Sequence, residues 1–160
     1  LSKIFQPKYK YIGIAPGAGE QDKIWPIDNF INIGKYFENK LFKIVWFLGP
    51  DEENIKKLIK NNFSDSIYPE ELTNKFSSFE IVMATTKYLS CAIANDSGIS
   101  HILSTKNCPL IKLFGKKDPK KFTPKNNQII TISANEFNSD DISYIDENFV
   151  IDKISQLVCS

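Results

Sequence analysis

Arginine is absent from this 160-residue chain. Its 20 basic side chains are all lysines, set against 19 acids for a net charge of +1. Any bound phosphate must therefore be held by ammonium groups, backbone N–H groups and hydroxyls, without a bidentate guanidinium fork. The basic excess of a dedicated nucleic-acid binder is also missing, so no nucleic-acid partner is expected. Histidine occurs once, at His101, and cysteine only at Cys91, Cys108 and Cys159. Three widely spaced cysteines make neither a metal-ligand spacing nor a disulfide framework, so no metal is expected and a reducing, cytoplasmic setting fits. Cys91 reads as core. No run approaches the roughly 20 apolar residues that span a bilayer, and no signal peptide opens the chain, so no transmembrane segment is expected. The first residue is Leu1 and not methionine, which points to a piece of something longer. There is no internal repeat and no low-complexity tract.

What is present is an ordinary apolar fraction, 42%, in a length that suits one domain with a sizeable core. Residues 1–10 are polar and read as a linker or incoming segment; residues 11–160 read as the domain. Tyr11 to Ala15 is a short strand stopped by Pro16-Gly17-Ala18-Gly19. Pro26 opens a helix with Phe30, Ile33 and Phe37 at helical spacing. Ile44 to Leu48 is a continuous apolar run, the mark of a strand buried on both faces. Gly49-Pro50 breaks it, and Asp51 is the expected N-cap of a helix through Ile55, Leu58 and Ile59. Ile67-Tyr68 is a brief strand, and Ser77 or Ser78 caps a helix through Phe79, Val82 and Met83. Strands follow at Leu89 to Ala94, Leu110 to Phe114 and Gln128 to Ile132. Lys116 to Asn127 is a lysine-rich loop containing Pro119 and Pro124, and Val150, Ile151, Ile154, Leu157 and Val158 form a closing helical stripe. Strand–helix alternation implies an α/β, Rossmann-like three-layer domain with a mostly parallel sheet of about six strands. In such sheets ligands lie beyond the carboxyl ends of the strands, at a switch in strand order.

The most informative stretch is Asn95-Asp96-Ser97-Gly98-Ile99-Ser100-His101, which reads as strand, tight turn and helix start. The turn aims the N–H groups of Gly98 and Ile99 and the positive end of a helix dipole beyond the strand, where phosphates bind. Gly98 leaves the approach free of a side chain, and Ser97 adds a hydroxyl. Asp96 either accepts from sugar hydroxyls or caps the helix. His101 contacts phosphate, braces the turn or packs as an ordinary ring. A Ser-His-Asp hydrolase does not fit, because Asp96 and Ser97 are adjacent and no G-x-S-x-G elbow is present. Glu52 and Glu53 follow the second buried strand. A carboxylate there accepts from ribose hydroxyls in Rossmann-like sites, or simply favours the helix dipole.

Several blocks along the chain carry a resemblance: Ala15-Pro16-Gly17-Ala18, Lys23-Ile24-Trp25-Pro26, Ser78-Phe79-Glu80, Asp96-Ser97-Gly98 with His101, and Phe114-Gly115 before Asp118-Pro119. In this order they resemble the C-terminal half of bacterial heptosyltransferases, the ADP-heptose–lipopolysaccharide enzymes of glycosyltransferase family nine. The resemblance implies the donor-binding domain of a GT-B glycosyltransferase, inverting and metal-independent, with no cofactor beyond its nucleotide-sugar donor, ADP-heptose. It implies a lipopolysaccharide core acceptor reached through an N-terminal domain that nothing here matches, at the cytoplasmic face of the inner membrane. The chain alone is then expected to bind nucleotide without transferring sugar. By resemblance Lys23 faces the donor diphosphate and offsets charge on the leaving group; the Gly17-Ala18 turn and Asp96 belong to the donor pocket. An acidic residue in the neighbourhood of Glu52 and Glu53 also recurs in the family, and Ser77, Ser78 and Phe79 lie where the nucleobase pocket is lined. The chain departs from the family pattern at Ile24, at Gly17-Ala18-Gly19-Glu20 and at Lys116-Lys117. The alternatives are a GT-B transferase or epimerase using a uridine donor, and a non-catalytic nucleotide-binding or interaction module.

Overall fold

A computed structural model describes residues 1–73, 75–105, 108–123 and 128–158; Pro124 and Cys159 lie outside them. The apolar runs become five strands: β1 (Tyr11–Ala15), β2 (Lys43–Trp46), β3 (Cys91–Asn95), β4 (Leu110–Phe114) and β5 (Ile129–Ser133). They form one sheet of order β2-β1-β3-β4-β5, and every pairing is parallel. Among the described residues six helices connect and cover them: α1 (Ile27–Glu38), α2 (Glu53–Asn62), α3 (Ser78–Thr86), α4 (Gly98–Leu103), α5 (Pro119–Phe122) and α6 (Glu147–Val158).

Strand residues alternate between two cores, as the period of two requires. Ile12, Ile14, Ile44, Trp46, Ile93, Ile111 and Leu113 join Phe30, Ile33 and Phe37 of α1, Ile59 of α2 and Val150, Ile151 and Ile154 of α6 on one face. Tyr11, Ala15, Val45, Ala92, Ala94 and Leu110 join Val82 of α3 and Leu103 of α4 on the other. Burial on both faces explains why β1 to β3 read as nearly continuous apolar runs.

Of the six strands expected, the brief one at Ile67-Tyr68 shrinks to one bridge, Ile67 to Val45. Ile67 N–H donates to Ile44 O and Ile67 O accepts from Trp46 N–H, both at 2.9 Å. Pro69 then ends any further pairing, since it has no N–H to donate. Asp51 does not cap α2: Glu52 occupies the cap position, and its side chain makes no cap hydrogen bond. Residues 1–10 form turns without a strand, yet Phe5 is buried and stacks on Tyr88 at 4.7 Å. Among the described residues no helix is long and apolar enough to cross a membrane.

The strand order carries the functional consequence. The chain runs from β1 outward to β2, then returns through α2 and α3 to place β3 on the other side of β1. The switch in direction falls between β1 and β3, so the loops leaving their carboxyl ends diverge and leave a crevice.

Candidate functional site

Three loops border that crevice. The first, after β1, is held at both ends by a residue of β3. Asn95 Nδ2 donates to Pro16 O at 2.7 Å, and Asn95 Oδ1 accepts from Trp25 N–H at 3.2 Å. Trp25 is fully buried, and its Nε1–H donates to Ile145 O at 3.1 Å. Trp25 therefore packs the start of α1. The loop between is pinned to the tip of β3 by an asparagine whose donor and acceptor are both used.

The second loop follows β2. Glu52 Oε2 accepts from Gly49 N–H at 2.6 Å, closing the Gly49–Glu52 turn. Its carboxylate lies against Gly17, where a Cβ would collide with Glu52 Oε1. Gly17 lets the Glu52 carboxylate approach closely and is not there for a special backbone angle, since no glycine has positive φ among the described residues. Burial raises the Glu52 carboxyl above the ordinary range, opposed by the Gly49 hydrogen bond and aided by Asp51. Glu53 is exposed, opens α2, and is 4.0 Å from Lys56. Of the two candidate glutamates, only Glu52 faces the crevice.

The third loop follows β3. Ser97 is the N-cap of α4, its Oγ accepting from Ser100 N–H at 3.3 Å, while Ser100 Oγ accepts from Ser97 N–H at 3.2 Å. Asp96 is therefore not the cap, and its carboxylate is committed elsewhere. Beyond the cap, the first-turn N–H groups of Gly98 and Ile99 have no intrahelical partner by helix geometry. A Cβ at Gly98 would meet nothing within 4 Å.

Together Gly17, Ala18 and Gly19, Gly49 to Glu52, and Ser97, Gly98 and Ile99 line an open cleft of about 280 Å³. A small recess adjoins it on the other side of the β3 tip, lined by Asp96, Lys23, Lys116, Lys117 and Gly115. In it Asp96 Oδ1 is 2.9 Å from the Nζ of Lys112, a β4 residue whose side chain is only 2% exposed. Lys23 Nζ is 2.6 Å from Glu20 Oε1, and Lys117 Nζ lies 3.5 Å from the same oxygen. The hydrogen bond to Glu20 is the first reason the Lys23 ammonium is held above its ordinary range, and Asp96 adds to it.

Gly17, Ala18, Glu52, Ser97 and Gly98 are thus brought together on one cleft, with Asp96 and Lys23 beside it. Three residues named from the sequence lie elsewhere. His101 is exposed on α4, and Glu53 points to solvent. Ser77 is the N-cap of α3, in a capping box with Glu80. Two residues carrying much of the geometry were not singled out beforehand. Asn95 closes an apolar run and passes for its polar end. Lys112 interrupts Leu110-Ile111-Lys112-Leu113-Phe114, and a lysine at the centre of a doubly buried strand is the signal that a carboxylate waits inside.

Free N–H groups at a glycine turn, nearby ammonium groups and two carboxylates suit a ligand that combines phosphate with sugar hydroxyls. Residues 2–148 match the family described as glycosyltransferase family 9 (heptosyltransferase). The chain belongs to that family. It is 21% identical over 130 residues to the lipopolysaccharide core heptosyltransferase OpsX of Haemophilus influenzae, covering 81% of this chain and 37% of OpsX. A glycosyltransferase family 9 structure from Veillonella parvula superposes with a TM-score of 0.82 at 23% identity, over 96% of this chain and 47% of that one. The Escherichia coli heptosyltransferase WaaC, solved with ADP, gives 0.78 at 19% identity, over 93% of this chain and 44% of WaaC. The E. coli ADP-heptose lipopolysaccharide heptosyltransferase II gives 0.78 at 18%, over 96% of this chain and 48% of that one. These likenesses establish a shared fold. This family 9 chain spans less than half the length of the relatives it matches.

Proposed function

We propose that this chain is the nucleotide-sugar-binding half of an inverting, metal-independent glycosyltransferase that passes heptose, or a related sugar, to a lipopolysaccharide core acceptor. The observation that carries the reading is the convergence of the loops after β1, β2 and β3 on one cleft whose floor is glycine and open N–H groups. The donor diphosphate lies across Gly17 to Gly19 and the Ser97-Gly98-Ile99 turn, where backbone can approach it closely. Glu52, anchored on Gly49, accepts from the ribose hydroxyls. Asp96 accepts from hydroxyls of the transferred sugar. Lys23 exchanges Glu20 for phosphate oxygens and stabilises charge that builds on the departing diphosphate. The donor is ADP-heptose, in keeping with the solved relatives that hold ADP and an ADP-heptose analogue, and no further cofactor is needed. The acceptor and the general base belong to the part of the relatives that this chain does not span, in an enzyme working at the cytoplasmic face of the inner membrane.

Calorimetric titration of the chain with ADP and UDP, beside a transfer assay with ADP-heptose and lipopolysaccharide core, tests this. ADP is expected to bind more tightly than UDP, and no sugar to be transferred. Tighter UDP binding would make it a uridine-donor enzyme, absence of binding by either nucleotide would make it an interaction module, and transfer by this chain would overturn the division of labour.

A further inference from the structure

The pair formed by Asp96 and Lys112 does more than fill the core. A carboxylate is an unwelcome group at a corner meant for a diphosphate, because like charges repel strongly where solvent is excluded. Asp96 stands at that corner, next in sequence to the Ser97-Gly98 turn and on the wall of the recess that holds Lys23. It is nearly buried, so water screens it poorly. With no arginine in the chain, any compensation must come from lysine.

The sheet supplies it from beneath. Lys112 lies opposite Ala94 in the β3–β4 register, and Asp96 is two residues further on, just past the end of β3. Two residues of strand span roughly 6.6 Å, which an extended lysine stem covers, and the small side chains of Ala92 and Ala94 leave it a path. The ammonium ends 2.9 Å from Asp96 Oδ1 and 5.1 Å from the centre of the Phe114 ring. On the recess side Lys23 faces Asp96, but Lys23 is shared with Glu20. An apolar side chain at position 112 would pack as Leu110 and Phe114 do, without burying a charge.

We propose that Lys112 is the internal counter-ion of Asp96, a positioning residue that lets a carboxylate stand in fixed orientation beside the donor diphosphate. This rests on the donor-site reading given above. Lys112 reaches the ligand only through Asp96: it cancels the charge that would repel phosphate and holds Oδ1, which leaves the rest of the carboxylate to accept from the sugar.

The test is a cycle of variants titrated with ADP. Lys112→Met removes the buried counter-ion and leaves Asp96 only Lys23, itself shared with Glu20, and ADP affinity is expected to fall roughly tenfold. Lys112→Arg keeps the charge and is expected to retain most of the affinity. The double variant Lys112→Met/Asp96→Asn removes both charges; ADP carries no transferred sugar, so the hydroxyl contact assigned to Asp96 is not read, and ADP binding within about threefold of the parent chain is expected. A role limited to packing would not be rescued by removing the second charge. Because it buries no unpaired ion, the double variant also keeps the test alive if Lys112→Met does not fold: loss of ADP binding by a folded double variant overturns the inference. So does unchanged ADP affinity in a folded Lys112→Met. Absence of ADP binding by the parent chain overturns the donor-site reading itself, and this inference with it.

Discussion

At the scale of single residues, the glycines of the crevice separate two requirements that are often confounded. At Gly17 a Cβ would displace the Glu52 carboxylate from its present place. At Gly98 the fold leaves room for a side chain, with no neighbouring atom within 4 Å of where its Cβ would be, so under the proposed donor site only the ligand would demand a glycine there. Gly98→Ala places a better helix former in the first turn of α4. It is expected to leave the melting temperature unchanged or to raise stability by up to about 1 kcal/mol. The same methyl group projects into the cleft, so ADP affinity is expected to drop roughly tenfold, about 1.4 kcal/mol. Thermal unfolding and calorimetry on one preparation check both halves. A variant that is less stable and binds normally would contradict the assignment.

Also at this scale, what could be read in advance depended on whether a residue's partner was near in sequence. The Ser97-Gly98 turn and the Gly17-Ala18 loop are local features, and the sequence displays them. Choosing between Glu52 and Glu53 required knowing that Glu52 folds back on Gly49 and leans on Gly17. For Asp96 a sugar-hydroxyl acceptor and a helix cap both stood open; Ser97 takes the cap, and the residue that pairs with Asp96, Lys112, comes from the neighbouring strand. Local rules assign the cap to any acid before a helix, and a long-range ion pair overrides them.

At the scale of elements, the segment at the outer edge of β2 carries a pH dependence. Pro69–Glu71 follows the bridge at Ile67 as a short 3-10 turn. The Glu70 carboxyl there is pushed from 4.5 up to about 7, first by burial and then by repulsion from Glu52 and Glu71, against a hydrogen bond to its own backbone and attraction to Lys56. An unfolded chain releases this proton near 4.5, whereas the fold retains it until about 7. The associated stability is therefore complete below pH 4.5 and is lost as pH rises through 7. The loss is on the order of 1–3 kcal/mol. Glu70→Gln removes it, so urea midpoints compared at about pH 5 and about pH 8 should fall less in the variant than in the parent chain. Glu52, also raised by burial, adds a smaller trend of the same sign in both proteins. Parallel profiles would show that Glu70 does not carry the effect.

Elements were the most legible level. The apolar runs of β1 to β5 and the stripes of α1 and α6 are periodic patterns whose meaning does not depend on distant residues. The edge was less so. Ile67-Tyr68 has strand-forming side chains, but Pro69 removes the next donor and reduces the strand to a bridge. At α2 the expected Asp51 cap gives way to Glu52, whose carboxylate is drawn to Gly49 N–H instead of the helix.

At the scale of the whole molecule, two apolar layers enclose a parallel sheet whose strand order reverses at β1 and β3, and the candidate site lies where that reversal opens the structure. Another concavity, about 420 Å³, lies between Leu1, Ile4, Leu72, Phe76, Ile81 and Ala84. It is built on α3 and the N-terminal turns and lacks the glycine turns and lysines that suit a diphosphate. The two places make opposite predictions for one experiment, a titration of the isotopically labelled chain with ADP followed by backbone amide NMR. Shifts are expected to concentrate at Gly17 to Gly19, Gly49 to Glu52 and Ser97 to Ile99, with Lys23 at their border. Shifts confined to the groove around Ile4, Phe76 and Ile81, or none at saturating ADP, would contradict the donor-site reading.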